Sequence, residues 1–136
     1  MSSRNVVVAI SGASGSIYGI RVLQMLQQIE DVKSHLVITP SAKSTIGVET
    51  EYSVSEIEEL ADEVHSARDI GASIASGSFK TSGMIVAPCS IKTLSAIANS
   101  FGADLVSRAA DVTLKERRPL VPVSYTHLTL PTKRIV

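Results

Sequence analysis

Three stretches of this sequence combine residue types and spacings that could do chemistry. The first is SGASGSIYG at residues 11–19, where Gly12, Gly15 and Gly19 recur among serines. Glycines let a backbone approach a phosphate or a flat ring closely, and the N–H groups at a helix start favour a negative group. The spacing is Gly-x-x-Gly-x-x-x-Gly, which is not the Gly-x-Gly-x-x-Gly dinucleotide fingerprint. A turn kept glycine-rich only for tight strand–helix packing is the plainer alternative. The second stretch is PCSIKTLS at 88–95, where Ser90, Thr93 and a helix N-terminus offer donors to an anionic or carbonyl-rich ligand. Lys92 there is either a phosphate partner or an exposed helix residue. Cys89 has no evident histidine partner and reads as a small buried residue rather than a nucleophile. The third stretch, RAADVTLKERRPL at 108–120, carries Lys115, Arg117 and Arg118 at a helix end, where they complement the dipole. Glu49 taken alone is a surface carboxylate beside Thr50. His35, His65 and His127 are scattered without ligand spacing, so a metal site is not expected.

Strands must present these turns. VVVAI at 6–10 is apolar and β-branched without alternation, the pattern of a strand covered on both faces. The helix after it has an apolar stripe of Gly19, Val22, Leu23 and Leu26, with Arg21, Gln24 and Gln28 opposite. HLVIT at 35–39 is the second strand, and Pro40 suits the first position of the helix that follows. Ser55 and Glu58 have capping-box spacing ahead of an amphipathic helix with Ile57, Leu60, Ala61 and Val64 on its apolar side. Its acidic side, Glu56, Glu59 and Asp62, reads as a solvated face. Residues 66–82 are small and polar, a short strand or helical turn and then a loop. MIVAP at 84–88 is another buried strand, followed by helices over 91–99 and 104–116. Asp104 is the expected N-cap of the latter, and Asp111 with Lys115 an i, i+4 pair within it. A last strand starts at Pro119. Strands alternating with helices predict an α/β fold, a Rossmann-like doubly wound parallel sheet in three layers. Both glycine- and hydroxyl-bearing turns then fall at strand carboxyl ends, where such sheets collect ligands.

Composition narrows the function classes. The 136 residues allow one ordinary domain, with 44% hydrophobic and 19% charged residues. Thirteen basic and thirteen acidic side chains cancel, so charge favours neither nucleic acid nor an anionic membrane. No apolar run approaches the roughly 20 residues of a membrane span, and one cysteine excludes an internal disulfide or a cysteine-cluster zinc site. A cytoplasmic enzyme is the expectation.

The order and spacing of AISGASGSIYGIRVL, HLVIT, GVET, SARDIGASIASGSF, APCSIKTLSAIA and RAADVTLKERRPLV resemble the UbiX-type flavin prenyltransferases, within the flavin-containing decarboxylase-like superfamily. The resemblance implies an FMN site between subunits of a homododecamer, and no metal. It implies transfer of a dimethylallyl group from dimethylallyl monophosphate to reduced FMN, giving the prenylated FMN used by UbiD-type decarboxylases. By motif, Gly12, Ala13 and Ser14 match the family's flavin-binding turn, and Ser90, Ile91, Lys92 and Thr93 its second flavin-binding segment. Thr39 stands where the family commonly has a flavin-contacting serine. Ser14 and Glu49 match positions implicated in proton handling, which replaces the surface reading of Glu49. A cysteinyl decarboxylase, a non-catalytic FMN-binding fragment and a generic nucleotide-binding module are the competing readings. The module ranks last, because Thr39 and Pro40 stand where a ribose-binding carboxylate would close the second strand.

The motif order breaks after Val121. Residues 1–121 read as the N-terminal portion of the flavin-binding domain, and 122–136 as an unrelated tail of vector-like sequence. Tyr125 falls where the family places an arginine that contacts flavin and phosphate. A chain ending so would leave an open sheet edge and exposed apolar faces, and is expected to be poorly soluble or inactive.

Overall fold

Both faces of VVVAI are covered, which is why it shows no alternation. In the computed structural model, which describes residues 4–124, this run lies in β1 (Arg4–Ile10), the middle strand of the sheet. Along the chain follow α1 (Ser16–Gln27), β2 (Val32–Ile38), α2 (Pro40–Glu49), α3 (Val54–Glu58), β3 (Glu63–Ser66), β4 (Gly83–Val86), α4 (Ile91–Ala98), α5 (Leu105–Lys115) and β5 (Leu120–Pro122). The five strands are all parallel, in the order β3-β2-β1-β4-β5. The order reverses between β1 and β4. That reversal opens a crevice at the carboxyl ends of these two strands.

Alternation along the strands divides the core in two. Val8, Ile10, Leu36 and Ile38 face α1, α2 and α3, where Ile20, Leu23, Ile46 and Ile57 are fully buried. Val7, Ala9, Val37, Met84 and Val86 face Ile97 of α4 and Leu105, Val106, Ala109 and Ala110 of α5. Each fully buried Leu or Ile contributes about 1.5–3 kcal/mol. The doubly wound, three-layer expectation is thus met.

Local signals decide the helix starts. Pro40 occupies the first turn of α2, behind Thr39 as N-cap. Asp104 is the N-cap of α5, as the sequence predicts, and the structure adds a reciprocal box with Ser107. The helix predicted behind Ser55 is different. The capping box forms two residues earlier, between Ser53 and Glu56, and α3 is a single short turn that buries Ile57. Both serines have the required spacing. The earlier start frees residues 63–66 to pair with β2 as an edge strand, so Val64 belongs to β3 rather than to a helix face. Asp62 fixes that switch by accepting the Ser34 N–H at 2.7 Å, while its own N–H donates to Ser34 Oγ at 3.1 Å. Between β3 and β4 the chain makes a 3₁₀ turn, Ser73–Ala75, that buries Ile74. Asp111 and Lys115 do not close an ion pair; among the described residues Lys33 and Glu63 do, at 3.4 Å.

Candidate functional site

The two turns flanking the crevice are bonded to each other through Ser11. This side chain is 1% exposed. Its hydroxyl donates to the Pro88 carbonyl at 2.8 Å and accepts the Ser90 N–H at 2.8 Å, while its own N–H reaches the Pro88 carbonyl at 3.1 Å. The β1–α1 turn and the β4–α4 turn therefore move as one piece. The sequence places Ser11 at the head of the glycine-rich stretch but assigns it no role of its own; its one signal is a hydroxyl directly after a buried strand.

Beside this clasp lies a cavity of about 820 Å³, lined among others by Gly12, Thr39, Ser41, Ser90, Lys92 and Thr93. Its far wall comes from Phe101, Asp104 and Ser107, which the sequence reading had not assigned to a site. Gly12 is a close-approach glycine. A Cβ there would lie 2.4 Å from Ser41 Cβ, so any side chain would push the turn off the start of α2.

Hydroxyls at the helix starts are poised to donate into this space. Thr39 Oγ1 accepts the Ala42 N–H at 3.2 Å, which leaves its own proton free. Ser90 Oγ accepts the Thr93 N–H at 3.1 Å and donates to Thr93 Oγ1 at 3.0 Å, passing the free proton to Thr93. The first N–H groups of a helix have no intrahelical partner. With that of Thr93 satisfied, those of Ile91 and Lys92 remain for a ligand, reinforced by the dipole of α4. The set suits an anionic, oxygen-rich group.

Of the residues singled out from sequence, Gly12, Thr39, Ser90, Lys92 and Thr93 come together on this cavity, whereas Ala13, Ser14, Ile91 and Glu49 are not on its wall. Glu49 instead holds the start of α1. Gly15, the N-cap, has φ 108° and no side chain to cap with. Glu49 Oε1, arriving from the end of α2, accepts the N–H groups of Gly15 at 3.1 Å and Ser16 at 3.2 Å. The slight burial it has pushes its pKa up, but the Ser16 and Gly15 N–H groups, with the Ser14 and Ser16 side chains beside them, together outweigh this and hold the carboxyl below its ordinary value. Glu49 thus sits at the flavin-turn motif with one oxygen engaged, next to exposed Ser14.

Cys89 is buried, as expected, and burial pushes its thiol up to about 11. Such a thiol is a poor nucleophile at neutral pH. Arg118, at the basic helix end, does more than complement a dipole: its guanidinium donates to the carbonyls of Phe79 at 3.2 Å and Gly77 at 3.1 Å, pinning the loop before β4. The histidines are not all scattered. His35 and His65 meet at 3.1 Å across neighbouring strands, a proximity set by strand register. Tyr125 and His127 lie outside the described residues. No helix among the described residues is long and apolar enough to cross a membrane.

Comparison with known proteins agrees with this geometry. The flavoprotein family model matches residues 1–135, running past the boundary drawn at Val121 from motif order. The flavin prenyltransferase UbiX of Escherichia coli K12 is 52% identical, over 96% of this chain and 72% of that protein. The crystal structure of AnUbiX in complex with FMN and dimethylallyl pyrophosphate superposes with a TM-score of 0.90 at 49% identity, covering 97% of this chain and 70% of that one. A dodecameric FMN-dependent UbiX-like decarboxylase from Escherichia coli O157:H7 gives 0.89 at 44% identity, covering 96% and 72%. With the Rossmann-like strand order, the clasped turns and this degree of identity, the chain belongs to the flavoprotein family, among the flavin prenyltransferases of the UbiX type.

Proposed function

We propose that this chain binds reduced FMN in the crevice between the β1–α1 and β4–α4 turns and prenylates it with dimethylallyl monophosphate. The observation that carries the reading is the convergence of Gly12, Thr39, Ser90 and Thr93 on one cavity at the strand-order reversal. The fit to FMN rests on the donor set and on the room that a side chain at residue 12 would remove. Reduced FMN, when bound, supplies the nucleophilic ring atoms that the dimethylallyl group joins.

The residues of the chain bind, orient and handle protons. The Thr39 and Thr93 hydroxyls and the N–H groups of Ile91 and Lys92 hold oxygens of the bound flavin nucleotide. Ala13 and Ser14 extend the turn alongside it, and Lys92 adds a positive charge to the rim. Departure of phosphate from the prenyl donor leaves an allylic cation, which preorganised dipoles stabilise better than bulk water does. Coupling must then release a proton. Glu49 is ionised at neutral pH, and with Oε1 engaged by two N–H groups it has Oε2 to accept one, with Ser14 beside it. The product is prenylated FMN for a UbiD-type decarboxylase, and the assembly is a homododecamer like that of the Escherichia coli O157:H7 relative.

The test is anaerobic incubation of the full chain with reduced FMN and dimethylallyl monophosphate, or the pyrophosphate in a parallel arm. Mass spectrometry of the released flavin should show one added dimethylallyl group with the monophosphate. Flavin binding with no mass change would support the non-catalytic fragment, and decarboxylation of a cysteinyl peptide the rival enzyme. Either result overturns the proposal.

A further inference from the structure

On the edge of the sheet, two histidines and a glutamate converge where the flavin chemistry makes no use of them. Strand register explains why. His35 of β2 pairs with Glu63 of β3, so the two side chains leave the sheet on the same face. His65, two residues on, shares that face with Glu63. One ligand atom from each of His35, Glu63 and His65 lies within 4.8 Å of the others. His35 is buried, His65 half-buried and Glu63 exposed, so the cluster runs from the core to solvent. His35 precedes Thr39 by four residues, about 13 Å along a strand, which separates the cluster from the cavity.

Hydrogen bonds assign the protons. Asn5 Nδ2 donates to the Lys80 carbonyl at 3.1 Å, which turns Asn5 Oδ1 toward His35 Nε2 at 3.0 Å. An amide oxygen only accepts, so His35 carries its proton on Nε2 and offers the Nδ1 lone pair outward. That lone pair faces His65 Nε2 at 3.1 Å, with the ring planes 11° apart. A metal-binding histidine characteristically has its second nitrogen donating to a fixed oxygen, as His35 does here.

We infer that His35, His65 and Glu63 form a site for a borderline divalent cation of the zinc, cobalt and nickel class, with water completing the coordination. Two imidazoles and one carboxylate are the ligand chemistry those ions select. Bonds of about 2.0–2.1 Å in a tetrahedral site place ligand atoms about 3.3 Å apart. The two ring nitrogens are already near that separation. Binding replaces the His35–His65 hydrogen bond: His65 moves its proton to Nδ1, both lone pairs face the ion, and no proton is released from either ring. Glu63 is free to swing in, since its partner is the exposed Lys33 at 3.4 Å, and its charge offsets part of the cation's. The cation would cross-link β2 to the edge strand β3. This inference is independent of the flavin reading.

The experiment uses the full chain and cobalt(II), followed by the visible absorption of a four-coordinate ion, with zinc as competitor. Expected is equimolar, saturable binding that zinc displaces. It should weaken at least about tenfold in His65→Ala, less in Glu63→Gln, and stay unchanged in His127→Ala. The absence of a saturable spectrum in the parent chain would sink the proposal, as would its retention in His65→Ala. Should His65→Ala lose its far-ultraviolet circular dichroism, Glu63→Gln decides, because Glu63 is exposed: unchanged affinity there overturns the site. Loss of the spectrum in His127→Ala would place the cation elsewhere and overturn it equally.

Discussion

The two turns that flank the crevice start their helices by opposite means. The β4–α4 turn caps itself: Ser90 accepts the Thr93 N–H from within the same segment. The β1–α1 turn does not, because Gly15 has no side chain, and its cap is Glu49, which arrives 34 residues later in sequence. A self-capped helix start is formed locally and leaves N–H groups for a ligand. A borrowed cap spends them on the protein and makes the turn depend on α2 being in place. On the proposed reading, the β4–α4 turn is therefore the binding end of the crevice. The β1–α1 turn is the end where a carboxylate is held, proposed above for proton work.

Joining the two turns is α1, whose Gly19 lies against the end of β4. A Cβ on Gly19 would sit 2.3 Å from the Ala87 carbonyl oxygen and 2.7 Å from Ile10 Cγ1. Backbone cannot yield as a flexible side chain does. Gly19→Ala should cause the largest loss, about 3 kcal/mol in urea unfolding, at the upper end for overpacking, with flavin affinity falling in parallel. A neutral substitution would mean that the turns are not rigidly coupled through α1.

Ser11→Ala attacks the same coupling from inside. It orphans the Ser90 N–H in a partly buried setting, which costs about 1–3 kcal/mol. The two effects should be distinguishable by flavin titration of the folded variants. Ser11→Ala loosens the β4–α4 turn proposed to hold the ligand, so its binding loss should exceed that expected from stability alone. Equal flavin affinity in folded Ser11→Ala and parent chains would show that the clasp does not shape the site.

Replacing the borrowed cap is the gentler perturbation. Glu49→Gln keeps an oxygen for the Gly15 and Ser16 N–H groups and removes only the charge at the α1 dipole. Because Glu49 is largely exposed, solvent screening limits the stability change to about 0.5 kcal/mol. The sign is fixed by the depressed carboxyl. The charge stabilises the fold above the unfolded value of 4.5, and this advantage is lost as pH falls through the lower folded value. Parent and Glu49→Gln chains should therefore differ at pH 7 in low salt and converge in acid. Prenyl transfer should fall far more than stability if Glu49 accepts the proton. Unchanged turnover with the small stability loss would leave it a helix cap alone.

What was legible in the sequence follows the same division. Pro40, Asp104 and the β-branched run at 6–10 act locally, so the elements they start or fill stand where expected. The hydroxyls of Ser90 and Thr93 follow a buried strand, and their role at a helix start is local too. The start of α3 was misplaced because Ser53 and Ser55 both have a glutamate three residues on, and the choice between them depends on β2 recruiting residues 63–66 as an edge strand. Glu49 on the first turn, Ser11 across to Ser90, and His35 beside His65 join residues 33, 79 and 30 apart. No periodicity encodes such contacts. Glu49 was reached through family resemblance, and the other two pairings only through strand order and register.

The smallest effect concerns Cys89, which lies in the self-capped turn between the strand and the cap residue. Its N–H donates to the Val123 carbonyl at 2.8 Å, and its side chain is 2% exposed. Burial disfavours the thiolate and pushes the thiol up to about 11, so at pH 8 almost none is in the reactive form. Alkylation by iodoacetamide in the folded chain should thus be slow, and should become fast only once urea unfolds it. The rate then reports how often the β4–α4 turn opens. Bound flavin should slow it further, because it adds contacts to the turn that must open. Fast labelling of the folded chain would contradict a rigid, self-capped turn. Labelling that flavin leaves unchanged would move the ligand away from α4. Cys89→Ala, which removes the thiol and little else from a packed site, should keep transfer activity near the parent level and so confirm that the sulfur has no part in the chemistry.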